Sequence, residues 1–384
     1  MNHSRRRLLQ QLYRAALQGA DPEAAVRRAL AEPAVARALA AARSVGVFAA
    51  GKAAARMAQG ARSVEASRSL VVLPPGHSAA RIPKRNVVFA AHPEPDRTSM
   101  RAARAALRFF GGFGEADVIL CLLSGGASSQ LSLPRKGVLL AQKRRAVSAL
   151  AASGASILAL NRLRTSLSAI KGGGLGRATR ARLVTLVLSD VPGDRAAVVG
   201  SGPTVRGERG DLVRIVGSNR TGLDAAACEA RRLGLRVRRR RGRLSGPARA
   251  AGEGIAREAS RLPPGTVLLA GGETVVRLDG PRGRGGRCLE LALAAALAAV
   301  GEDASLLAAG SDGRDGSSNG TGAFVDGGTL ARAKRRRLDA EGALCRHDTH
   351  RFFASLGDLL VTGPTGTNVG DWVFVVRAAP RRRR

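Results

Sequence analysis

Several segments of this 384-residue chain join glycine to residues that can hold charge. Gly51-Lys52 closes the apolar run Val45–Ala50, at a point where a helix is expected to open. A lysine beside a helix N-terminus favours an anion. With Gly46, the spacing also fits GxxxxGK. The chemistry does not: Val47-Phe48-Ala49-Ala50 is strand material, and residue 53 is alanine, lacking the hydroxyl that a phosphate loop offers to magnesium. Ser124-Gly125-Gly126-Ala127-Ser128-Ser129 follows the strongest apolar run of the first half. Adjacent glycines let backbone N–H groups approach a phosphate closely, and the serines add donors. Plain tight turns use the same residues.

Ser189-Asp190-Val191-Pro192-Gly193-Asp194 leads to Ser201-Gly202-Pro203-Thr204. Carboxylates at Asp190 and Asp194 can hold Mg²⁺ through oxygen while the ion keeps several waters. Equally, Asp190 can cap a helix and Pro192-Gly193 can form an ordinary turn. In the second half, Gly271-Gly272-Glu273-Thr274 and Gly283-Arg284-Gly285-Gly286-Arg287 form a basic loop region. Its arginines can grip carboxylate or phosphate at two points, or be the solvated tip of a hairpin. Gly310–Gly316 and Thr362–Asn368 extend the series, and together the loops suggest a cleft between domains. The histidines show neither nucleophile-elbow nor metal-ligand spacing; His92, in a loop stiffened by Pro93 and Pro95, is the one to retain.

The elements that must position these loops alternate short apolar runs with helical stretches, the mark of βαβ units. Helices are expected within 5–42, with Leu8, Leu9, Leu12 and Ala16 on one face, and after Gly51 as far as Ala61. Strands are expected at Val45–Ala50, Ser69–Leu73, Asn86–Ala90, Asp117–Leu123, Leu183–Leu188, Thr266–Ala270, Thr274–Leu278, Ser305–Ala309, Asp358–Val361 and Val373–Val376. The basic segment Arg236–Gly246 reads as a separator, so a division near residue 250 is expected.

Length favours two domains, and 45% hydrophobic residues suit a globular protein. No apolar run approaches a bilayer span, and no signal peptide is expected. Four scattered cysteines suit a reducing cytoplasm. The net charge of +34 raises nucleic-acid binding. Aromatics at 3% leave few stacking platforms, and an arginine-rich, alanine- and glycine-rich composition fits coding bias. The runs Arg238–Arg241, Arg335–Arg337 and Arg381–Arg384 are expected to be solvated surface or tail.

Taken in order, these segments resemble the glycerate 2-kinases that end in a MOFRL domain. The resemblance is carried by Ala50-Gly51-Lys52-Ala53-Ala54, His92-Pro93-Glu94-Pro95-Asp96, Leu123-Ser124-Gly125-Gly126 and Leu167-Ser168-Ala169-Ile170-Lys171-Gly172-Gly173. It continues through the Asp190, Ser201, Glu273 and Arg287 segments to Thr362–Val369. It implies a two-domain α/β fold: a larger Rossmann-like N-terminal domain, 1–250, and a smaller C-terminal MOFRL domain with a mixed sheet, 251–384. It also implies phosphorylation of D-glycerate with ATP and Mg²⁺ at an interdomain cleft in the cytoplasm. Lys52 and Arg287 match the family's two essential basic positions, and Asp190 the acidic one. Nucleotide binding would fall to Ser124, Gly125, Gly126, Lys171, Gly172, Gly173, Ser201, Gly202 and Glu273, and Mg²⁺ to Asp190 and Asp194. Small-molecule substrates are the expected partners of a monomer or homodimer, with neither membrane nor nucleic acid.

The chain departs from the family pattern at Cys288-Leu289-Glu290, Arg164-Thr165-Ser166, Asn319-Gly320-Thr321-Gly322 and His347-Asp348-Thr349-His350. A weakened paralogue, a hydroxypyruvate reductase and a basic nucleic-acid-binding protein are the alternatives. The reductase would need a G-x-G-x-x-G turn, which is missing here.

Overall fold

The computed structural model describes residues 3–154, 157–208, 210–278, 283–301 and 303–378. They form two compact units. One comprises Asp21–Ser218 with Gly366–Asn368; the other comprises Met1–Ala20, Asn219–Thr365 and Val369–Arg384. Composition alone put the division near residue 250, whereas helix Asn219–Arg232 belongs to the second unit and packs there against helix His3–Gly19. Leu9, Leu12, Tyr13 and Ala16 form the buried stripe of that first helix.

In the Asp21–Ser218 unit, β1 (Val45–Ala50), β2 (Arg68–Leu73), β3 (Val87–Phe89), β4 (Val118–Leu123), β5 (Arg182–Leu188) and β6 (Leu212–Gly217) form one sheet. Its order is β3-β2-β1-β4-β5-β6 and every pairing is parallel. The central strands β1 and β4 are buried at every residue, as parallel sheets with covered faces require. Phe48, facing Cys121 in register, packs edge-on against Phe110. The edge strand β6 is not marked by periodicity, since Arg214 interrupts its apolar run.

The other unit carries β7 (Arg236–Arg239), β8 (Thr266–Gly272), β9 (Ala304–Gly310), β10 (Gly322–Asp326), β11 (Leu359–Leu360) and β12 (Asp371–Arg377). They are ordered β11-β10-β9-β12-β8-β7 in a mixed sheet, parallel only between β7 and β8. Two sequence expectations change here, and one strand appears that was not expected. Arg236–Gly246 is not merely a separator, because it contains β7, an edge strand whose exposed arginines discourage edge-to-edge pairing. Thr274–Leu278 is not a strand: Val275 makes a single bridge to Pro247, and Val275 and Leu278 are exposed. The stretch after Asn319-Gly320-Thr321 becomes the buried strand β10. Arg335–Arg337 is exposed, as expected, and Arg381–Arg384 lies outside the described residues.

Candidate functional site

The first sheet reverses its strand order between β1 and β4, and ligands of open α/β sheets bind beyond the carboxyl ends of the strands at such a point. Gly51-Lys52 leaves β1 there, Ser124-Gly125-Gly126 leaves β4, and Ser189-Asp190 leaves the neighbouring β5. Tight backbone pairing holds these turns together. Lys52 N–H donates to the Gly125 carbonyl at 2.8 Å, Gly51 N–H to Gln130 Oε1 at 2.9 Å, and Ala53 N–H to Ser124 Oγ at 3.0 Å. The buried Ser124 hydroxyl therefore fastens the start of helix Ala54–Gly60. Gly51 has φ +122°, and a β-carbon there would stand 2.2 Å from Ser124 Oγ.

Gly125 leaves room for a carboxylate. A β-carbon at this position would lie 1.8 Å from Asp190 Oδ2 and 2.9 Å from Asn368 Nδ2, and that amide is itself 3.4 Å from Asp190 Oδ2. A β-carbon at Gly126 would lie 3.1 Å from His92 Cδ2 and 3.3 Å from Lys52 Cγ. The Asp190 carboxylate and the Lys52 chain thus flank one two-glycine turn. Asp194 is four residues past Asp190, has φ +49°, and buries Oδ1 with no hydrogen-bond partner.

A second set of expected residues meets beside the first. Lys171 Nζ donates to the Ser128 carbonyl at 2.5 Å and to its hydroxyl, while Ser128 Oγ lies 3.0 Å from Ser201 Oγ. Gly172 N–H donates to the Ser201 carbonyl at 2.9 Å, and Gly173 N–H to that of Gly202 at 2.8 Å. Those two amides clamp one loop to another and are already occupied. Next to this clamp is a cavity of about 460 Å³ lined by His92, Gly126, Ser132, Lys143, Arg164 and Lys171, among others. Burial, reinforced by Lys143 and Arg164, pushes the Lys171 ammonium well below its ordinary range. Burial, then Arg164, brings Lys143 down to about 8.

In the other unit, Arg287 opens helix Arg287–Leu297 and meets Asp371, the first residue of β12, at two points: Nε–Oδ2 2.5 Å and Nη2–Oδ1 2.9 Å. Its remaining nitrogen is 3.0 Å from Glu273 Oε1. Asp371 is buried, whereas the Glu273 side chain is 46% exposed, so of the two partners Glu273 is the one solvent or a ligand can replace. Burial raises the Asp371 pKa against the pull of Arg287. Asp315 accepts the N–H groups of Cys288 and Leu289 at the start of the same helix. Burial lifts Asp315 to about 7 despite those bonds.

Residues 8–226 match a family described as Domain of unknown function (DUF4147), and residues 266–371 match the MOFRL family. The D-glycerate 2-kinase of Thermotoga maritima is 36% identical, the alignment covering 85% of this chain and 89% of that protein. The crystal structure of a Thermotoga maritima glycerate kinase superposes with a TM-score of 0.88 at 33% identity, covering 98% of this chain and 100% of that one. A protein of Agrobacterium vitis that is provisionally named a hydroxypyruvate reductase is 37% identical, covering 96% of this chain and 93% of its own. The chain belongs to the glycerate kinase family with a C-terminal MOFRL domain. It is a phosphotransferase.

Two of the site's polar groups, Lys143 and Asp371, the sequence did not single out, whereas Asp315 lies in the Gly310–Gly316 loop already in the series. Lys143 sits in Gln142-Lys143-Arg144-Arg145, where its neighbours are exposed and only it turns inward. Asp371, preceded by Gly370 and followed by an apolar run, had a faint signal as a carboxylate entering a buried strand. Among the described residues no group of three or more His, Cys, Asp or Glu is arranged to hold a metal, and no helix is long and apolar enough to cross a membrane.

Proposed function

We propose that this kinase phosphorylates D-glycerate at its 2-hydroxyl, using ATP and Mg²⁺, in the cytoplasm. The reading is carried by the convergence of Lys52, the Ser124-Gly125-Gly126 turn and Asp190 at the switch point of a parallel sheet. The relatives named for glycerate kinase activity support it, and so do four cysteines that are all free thiols.

Phosphoryl transfer asks a protein mainly for positioning and for charge opposite the transferring group. Lys52 supplies a point charge beside the two-glycine turn, whose missing side chains make room for the Asp190 carboxylate and for the Lys52 chain itself. Asp190 orients the attacking hydroxyl by accepting its proton in a hydrogen bond. Arg287, held square by Asp371, presents its outer edge to the glycerate carboxylate once Glu273 gives way. The loops of Lys171, Gly172, Gly173, Ser201 and Gly202 serve the nucleotide, the two glycines by holding Lys171 and Ser201 in place.

The residues fit Mg²⁺ in the manner of nucleotide-borne ions, which need only one or two protein carboxylates. Asp190 and Asp194 would hold it, Asp194 through the buried Oδ1 that lacks a partner. When bound, the ion offsets charge on the phosphate oxygens.

A coupled ADP-release assay over small hydroxy acids tests the reading, with ³¹P NMR identifying the phosphorylated hydroxyl. ADP should appear only with D-glycerate. Lys52→Ala and Arg287→Ala should each lose roughly 10²-fold or more in kcat/KM, comparable to losing one transition-state donor, while remaining folded. ADP release indifferent to D-glycerate would refute the substrate. Hydroxypyruvate reduction is a second reading, resting on the names of two relatives and on a strand order that dinucleotide-binding sheets share. The first β–α turn is Gly51-Lys52-Ala53, without the glycine fingerprint, and hydroxypyruvate-dependent NADH oxidation would be needed to sustain that reading.

A further inference from the structure

We propose that the cavity beside the β4 turn is the pocket for the phosphate chain of the donor nucleotide, with Lys143, Arg164 and Lys171 as its cationic wall. Lys143 and Lys171 are each only 4% exposed, yet both reach serine oxygens instead of carboxylates. Among the described residues none of the three cations forms an ion pair. The acidic residue on the cavity wall, Glu94, is engaged with Arg144. Buried like charges repel and lose hydration, and such a cluster is retained where a ligand supplies the missing negative charge.

The charge count selects the ligand. A hydroxy acid brings one negative charge, too few for three cations, whereas a triphosphate chain brings three or four. Ser128 and Ser132, whose hydroxyls accept from Lys171 and Lys143, also line the cavity and can turn their own O–H groups to a ligand. A volume of about 460 Å³ is in the usual range of small-molecule sites. Gly126 belongs both to this cavity and to the turn beside Lys52, so a chain lying along the wall would run its terminal phosphate toward Lys52. The donor's identity rests on the kinase reading; the pocket's affinity for linked phosphates does not.

Isothermal titration of the full chain with sodium tripolyphosphate, ADP and adenosine tests the pocket. Lys143→Met and Arg164→Gln should each weaken tripolyphosphate at least 10-fold and ADP less, leaving adenosine unchanged. Arg238→Gln, on the exposed edge strand β7, is the control for adsorption by a highly basic protein and should leave all three unchanged. Tripolyphosphate should also raise the melting temperature of the wild type and not of Lys143→Met. Equal tripolyphosphate affinity in wild type and both pocket variants would overturn the proposal. So would D-glycerate-dependent ADP release with an unaltered KM for ATP in those variants, a result that leaves the kinase reading intact. Conversely, cluster-dependent tripolyphosphate binding without any D-glycerate-dependent turnover would support the pocket and count against the substrate.

Discussion

Replacing Lys143 with methionine should make the ligand-free protein more stable, an unusual outcome for a change at a buried site. The lysine stem already packs inside, so methionine keeps much of the apolar contact and deletes a charge that burial and Arg164 disfavour. A lysine held at about 8 in the folded chain and at 10.5 when unfolded carries a penalty below pH 8 of about 3 kcal/mol, at 1.36 kcal/mol per pH unit. The unfolded chain binds more protons than the folded one between pH 8 and 10.5, so wild-type stability rises with pH across that window. Below it the penalty is constant; above it the penalty has gone. Urea unfolding followed by far-UV circular dichroism reads the effect. With a slope of roughly 2–3 kcal/mol per molar, the variant's midpoint should lie about 1 M higher near pH 7. That advantage should shrink steadily toward pH 10.5. A variant no more stable than wild type at neutral pH, or one whose advantage ignores pH, would refute the account of Lys143 as an unneutralised buried cation.

Gly125→Ala should place a methyl group where Asp190 Oδ2 now sits, 1.8 Å from the ideal β-carbon, and displace that carboxylate by about an ångström. A misplacement of this size lowers ADP release roughly 10²-fold, and unchanged turnover in a steady-state assay would contradict the role given to Asp190. Asp371→Asn removes the charge partner of Arg287 and should destabilise the protein by roughly 3 kcal/mol, the lower end for breaking a buried pair, visible as a lower urea midpoint. Tripolyphosphate affinity should fall as pH rises through about 8, because Lys143 loses the proton that attracts the anion; titrations at pH 7 and pH 9.5 would differ by about tenfold.

The strands that position the site were legible because each is a buried apolar run: β1, β4, β5, β8, β9 and β12 have nearly every residue inside. The loops that leave these runs, Gly51-Lys52, Ser124-Gly125-Gly126 and Ser189-Asp190, were legible as turns at strand ends, but their residue types serve a tight turn or a helix cap as readily as a ligand, so their use was not. The edge strands β6 and β7 escaped for the opposite reason. They face solvent and carry arginines, and their pairing depends on a neighbour that local composition does not reveal.

Lys143 marks a deeper limit, because the property that matters there is created by tertiary structure. In a chain with 63 lysines and arginines, one more cation in a basic helix has no local signature. Its neighbours Arg144 and Arg145 are exposed and keep their hydration, so their charge costs little. Lys143 becomes distinctive only when the fold encloses it with Lys171 and Arg164 around a shared cavity. Sequence abundance and functional meaning are thus inversely related for charge in this protein. Most of the described arginines lie on surfaces and edges, and those drawn inward, such as Arg206 and Arg287, are paired with carboxylates, while Lys143 and Lys171 are dehydrated and left without them. Selection for function would act on that enclosure, which is why removing one of its charges should strengthen the fold and weaken the site together.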